Sequence, residues 1–123
     1  MEDPLEALGL GAKSKPNHSL AIKVANEVVR IQKNIGRMDE GTKGLKQLAK
    51  SVERIVDNYV ANGYEIVGML GQEYKDGTKA IVTFVTDEEL EPGKQVITRV
   101  IKPQINYEKV MIQTAQIEVS VGE

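Results

Sequence analysis

The hydrophobic period of the chain changes at Asn62-Gly63, and that switch confines it to a helical first half and a β second half. Before it, Ala21, Val24, Val28, Ile31, Ile35 and Met38 recur at spacings of three and four. Such spacing lays one apolar stripe along a helix. Asn17 and Ser19 both suit its N-cap, and Gly36 weakens its last turn. Asp39-Glu40-Gly41-Thr42 then breaks the pattern. Leu45, Leu48, Val52, Ile55 and Tyr59 resume it, widened by Val56 and Val60. Gly63 follows as a C′ residue able to adopt the left-handed conformation. The short connection predicts an antiparallel helical hairpin over 19–62, preceded by a flexible arm over 1–18.

A lone hairpin covers only one side of its stripe. The chain has 123 residues and only five aromatic ones, so its core must come mostly from Ile, Val and Leu. A chain this small gains from added burial through association. A second hairpin would close the stripe in a four-helix bundle, and the β half folding back would also cover it. The dimer is the expectation, because two-fold dimers are the commonest oligomers. Its core would be Val28, Ile31, Ile35, Leu48, Val52, Ile55 and Tyr59. A charge at Val52 should then separate the protomers.

After Gly63 the pattern alternates. Strands are predicted over 64–70, 79–85, 95–102 and 110–121, the last long enough to need a bend. Lys75-Asp76-Gly77 reads as a tight turn and Asn106-Tyr107-Glu108 as a loop. Pro103 marks a strand end. Ala115, Ile117, Val119 and Val121 alternate with Thr114, Gln116, Glu118 and Ser120, so one face of the last strand should meet water. The fold class is α+β, with a small all-β domain over 63–123.

Several function classes recede. Without Cys there is no disulfide, thiolate catalysis or Cys-based zinc site. A net charge of −2 lacks the basic excess of a nucleic-acid binder. The acidic start Met1-Glu2-Asp3-Pro4 does not resemble a secretion signal, and no apolar run approaches the ~18 residues of a membrane span. A cytoplasmic protein that binds neither nucleic acid nor membrane is expected. Gly9-Leu10-Gly11-Ala12-Lys13-Ser14 lacks the spacing of a phosphate loop. His18, the only histidine, reads as a solvated neighbour of the helix start. Asp87, Glu88, Glu89 and Glu91 lack calcium-loop spacing and read as a solvated hairpin tip. With no nucleophile–base pair and no metal cluster, the reading is a binding protein, not an enzyme, with no cofactor.

The order of parts carries a resemblance. Gly44-Leu45-Lys46-Gln47-Leu48 resembles the start of the second bundle helix in the GrpE family, the nucleotide exchange factors of DnaK-type chaperones. Asn62-Gly63-Tyr64-Glu65 resembles that family's helix-to-β junction, and Glu91-Pro92-Gly93 its hairpin before the third strand. Val100-Ile101-Lys102-Pro103 resembles its V-[IL]-R-P run, and Ile117-Glu118-Val119-Ser120 its closing strand. The likeness spans residues 20–121. The family's long N-terminal stalk helix has no counterpart in the short arm. Its [FY]-x-P-x-x-H-E-A-V motif is only faintly matched over 74–82, and 104–113 adds residues after Pro103.

The resemblance implies a homodimer that promotes ADP release from a DnaK-type chaperone ATPase by binding its nucleotide-binding domain. The contact surface it implies lies on the β domain, at Glu91, Arg99, Lys102 and Gln104, with Tyr74 and Lys75 at a neighbouring turn. The alternative is a non-catalytic dimeric adaptor on the same scaffold with another protein partner.

Overall fold

The computed structural model describes residues 17–123, so the arm lies outside it except for Asn17 and His18. The 9–14 stretch lies wholly outside. Two helices, α1 (Ser19–Gly36) and α2 (Leu45–Ala61), precede six strands: β1 (Tyr64–Val67), β2 (Ala80–Thr86), β3 (Gln95–Lys102), β4 (Gln104–Tyr107), β5 (Val110–Gln113) and β6 (Ala115–Val121). The fold class is therefore α+β. Among the described residues no helix is long and apolar enough to cross a membrane.

The hairpin is antiparallel. The Tyr59 hydroxyl, near the end of α2, donates to the Ala21 carbonyl at the start of α1, 2.7 Å away. The N-cap position of α1 falls on His18, whose side chain makes no capping bond. Asn17 helps instead, its Oδ1 accepting the Ser19 N–H at 2.9 Å. Gly63 adopts φ +88° and turns α2 directly into β1.

His18 is not a solvated neighbour. A hydrogen bond of 2.7 Å joins its Nδ1 to the Tyr64 hydroxyl. Its ring centroid lies 4.4 Å from that of Tyr107, which lies 4.8 Å from Tyr64. Tyr59 adds a fourth ring, 5.6 Å from Tyr64. An aromatic cluster thus ties the start of α1 to the junction of α2 with the first sheet. Burial, and then the neighbouring Tyr64 phenol, push the Tyr59 hydroxyl above its ordinary 10.0. A raised folded value means the neutral phenol favours folding. That contribution is fully present below about pH 10 and is lost as pH rises through the raised value. Tyr59→Phe should cost about 1 kcal/mol at neutral pH by urea unfolding. The gap to wild type should close in strongly alkaline buffer.

The β half holds two three-stranded sheets, ordered β1-β4-β5 and β2-β6-β3. The first is antiparallel throughout. In the second, β6 lies at the centre, parallel to β2 and antiparallel to β3. Met69, Ile97, Val100, Ala115, Ile117 and Val119 form its core, with Val67, Tyr74, Ala80, Val82 and Val121 packed around them.

Several expectations need correction. Residues 104–107 form the central strand of the first sheet, not a loop. The reversal is confined to Glu108 and Lys109, at φ 48° and 68°. Two successive left-handed residues fit a two-residue hairpin turn of the primed kind. The predicted strand over 110–121 breaks at Thr114 into β5 and β6, which serve different sheets. The acidic loop is not a hairpin tip, because β6 inserts between β2 and β3. Instead it crosses the end of β6, bonded from Gly93 N–H to Gly122 O at 3.1 Å and from Gly122 N–H to Lys94 O at 2.9 Å. The water-facing side of β6 is also less exposed than expected. Ser120 is buried, its hydroxyl 2.8 Å from that of Thr98.

The β half also folds back on α1. Asn26 and Gln113 exchange side-chain hydrogen bonds, the shorter 2.8 Å, and Lys33 Nζ donates to the Val100 carbonyl. Val28 and Val52 are buried within a single chain, whereas Leu48 stays 43% exposed. Ile31, Ile35, Ile55 and Tyr59 are intermediate. Val52 is thus a poor reporter of association. A charge there would be buried without a partner and would unfold the chain itself.

Candidate partner-binding surface

The polar face of α1 carries Arg30 and Lys33, and the C-cap residue Arg37 follows at helical spacing on the same side. Lys33 reaches the Val100 carbonyl on β3, which sets the next residue back along that strand, Arg99, beside the helix. Burial lowers the Lys33 amino group below its usual 10.5, and the charges of Arg99, Arg37 and Arg30 lower it further. Arg30 is partly neutralised by Glu27 at 2.6 Å, in a solvated pair. The outcome is a cationic face built from one helix and one strand. Such crowding favours an anionic surface opposite, because each like charge raises the cost of its neighbour.

The residues singled out in the sequence divide into two groups. Arg99 and Lys102 are exposed on β3, on this cationic face or next to it. The strand is irregular there, its pairing with β6 shifting between Ile97 and Arg99 and again between Val100 and Lys102. Bulges of this kind re-aim side chains. Tyr74, Lys75 and Glu91 gather at the opposite end of β3. Tyr74 N–H donates to the Gln95 carbonyl at 2.9 Å, and the Glu91 carbonyl accepts from Lys94 N–H at 3.0 Å. Gln95 and Arg99 stand four positions apart along the strand, about 13 Å. The six residues therefore do not form one patch.

Two of the six are occupied within the fold. Tyr74 is half-buried against the β core and meets Phe84 edge-on, ring centroids 5.7 Å apart. Gln104, half-buried on β4, donates to Asn106 Oδ1 at 3.0 Å. Lys75 and Glu91 are exposed at loops.

Lys33 and Arg37 went unnoticed in the sequence as members of a site. Their spacing from Arg30 was legible, but the approach of Arg99 depends on the β half folding back. Beside this face lies a cleft of ≈ 280 Å³ between the hairpin and the β half, lined by Val29, Val56, Ile66, Met69 and Pro103, with Lys33 at its wall. Its lining is mostly apolar, with Gln32 and Lys33 its polar members and the Lys33 amino group engaged by Val100, so the cleft offers no acid–base pair. Among the described residues no group of three or more His, Asp or Glu is placed to hold a metal ion.

No protein-family model matches the chain, and no curated protein matches it.

Proposed function

We propose that this chain is a GrpE-like nucleotide exchange factor that promotes ADP release from a DnaK-type chaperone ATPase. The observation that carries the reading is the junction at Gly63, where an antiparallel hairpin passes directly into a six-stranded β half. That is the order of parts the resemblance implies. Leu20, Val24, Leu48 and Val60 are exposed on the hairpin and suit association with a second hairpin. Arg99 and Lys102, joined by Arg37, are the cations that would meet an acidic surface of the nucleotide-binding domain. Exchange follows if this surface binds the open, nucleotide-free form more tightly than the closed form, since only differential affinity shifts such an equilibrium.

The test is the release rate of a fluorescent ADP analogue from the DnaK-type chaperone of the same organism. Acceleration should saturate with added protein. Arg99→Ala and Lys102→Ala should each weaken it roughly fivefold, the effect of about 1 kcal/mol at an interface. Leu48→Lys should break the hairpin contact and lower the apparent mass in sedimentation without unfolding the chain. A folded dimer that leaves the release rate unchanged would overturn the exchange reading and favour the adaptor.

A further inference from the structure

The second sheet has two edges, and the chain treats them differently. The outer edge of β3 is covered along Gln95–Ile97. Gly71 N–H donates to the Ile97 carbonyl at 2.8 Å, Ile97 N–H to Gln72 O at 2.9 Å, and Tyr74 N–H to Gln95 O at 2.9 Å. Glu73 completes this strap with a bridge to Val96. The other edge is β2, which pairs with β6 alone among the described residues. Its seven residues, Ala80–Thr86, carry no charge. Ile81 is 59% exposed and Phe84 53%. A strand of this length and composition, with one row of backbone groups unpaired, is a template for another strand, and edges not meant to pair are usually guarded by charge or proline.

We infer that β2 is a self-association edge, pairing antiparallel with the β2 of a second copy about a two-fold axis at Thr83. Three features select this occupant and register. Pairing about Thr83 sets all seven residues against one another, Ala80 opposite Thr86, Ile81 opposite Val85 and Val82 opposite Phe84. A one-residue slip would put the apolar core face of one sheet on the polar side of the other. The same register sets Lys79 opposite Asp87 of the second copy, at both ends of the strand pair. Parallel pairing in register would instead set Lys79 against Lys79. Ile81 then meets Val85 and Val82 meets Phe84, aliphatic–aliphatic and aliphatic–aromatic pairs of the kind that stabilise sheets. The product is a continuous six-stranded sheet, a common size. It uses none of the hairpin surface, so it stands apart from the proposed bundle.

Because the chain has no Cys, one introduced thiol reports the axis directly. Thr83 is exposed and in register with Glu118, so a small substitution there leaves the protomer intact. Under mild oxidation Thr83→Cys should form a disulfide dimer about tenfold faster than Thr86→Cys, since strand pairing raises the effective concentration only for the first. In the proposed register the two thiols of a Thr86→Cys pair stand six positions apart, roughly 20 Å, beyond disulfide reach. The comparison is repeated in the Leu48→Lys background, which removes the hairpin contact. Lys79→Glu and Asp87→Lys should each slow cross-linking of Thr83→Cys, and the two together should restore it. Equal rates for the two thiols, or a double charge variant no faster than the singles, overturns the inference. Faster capture of the thiol by a synthetic Ala80–Thr86 peptide carrying the same Thr83→Cys change than by the second chain also overturns it, in favour of an extended peptide as occupant.

Discussion

Ile117→Ala should lower the unfolding free energy by roughly 3–5 kcal/mol, the upper part of the range for truncating a buried Ile. Ile117 is fully buried on β6, in register with Val82 on one side and Val100 on the other. Strands bonded on both flanks cannot close in on a missing side chain, so the cavity stays open. Against a total of about 5–15 kcal/mol for a small protein, this loss leaves the variant marginal. Urea unfolding should show a much lower midpoint with an unchanged slope. Ile81→Ala, the same truncation at the exposed edge of this sheet, should shift stability by only ~0.5 kcal/mol. Similar losses at the two positions would mean that β6 is not the centre of the core.

Gly122→Ala should cost about 1–3 kcal/mol, although it adds one methyl group near the chain end. A Cβ at Gly122 would press on the carbonyl groups of Glu91 and Leu90. Those are backbone atoms and cannot rotate away as a side chain could. Gly122 is also held from both sides by its bonds to Lys94 and Gly93, so the loop over 87–94 must move instead. Hydrogen exchange at the Gly93 and Gly122 amides should accelerate, while the amides of α1 stay protected. Gly36→Ala is the contrast. It lies in the last turn of α1, with no heavy atom within 4 Å of the added carbon. There the methyl group should stabilise by about 0.5–1 kcal/mol, through lower unfolded-state entropy and better helix propensity. If Gly122→Ala is neutral, the loop does not rest on the end of β6.

How far the sequence reached depends on the range of the interaction. Helix limits, the turn at Gly77 and the left-handed Gly63 were legible because each is set by residues a few positions apart. The reversal at Glu108-Lys109 was expected over 106–108, too early, because primed turns are ordinarily marked by Asn-Gly or Asp-Gly, and this one carries neither. Thr114 gave no sign of separating two strands, since alternation continues across it while the partner strand changes. Candidate contacts were legible as residue types only. Arg99 and Lys102 were visible as exposed cations on a strand, but their separation from Tyr74 and Glu91 follows from the direction of β3.

By itself, the sequence determined the class of this protein: an amphipathic hairpin, a glycine hinge and an Ile/Val-rich β half, all dictated by local periodicity. Only the tertiary structure decided that β6 separates β2 from β3, that the β half bonds back onto α1 at Asn26 and Lys33, and that His18 is built into an aromatic cluster. Those outcomes join residues as far apart as Asn26 and Gln113. Such pairings depend on which surfaces pack best once the chain closes on itself, and no local pattern records that choice.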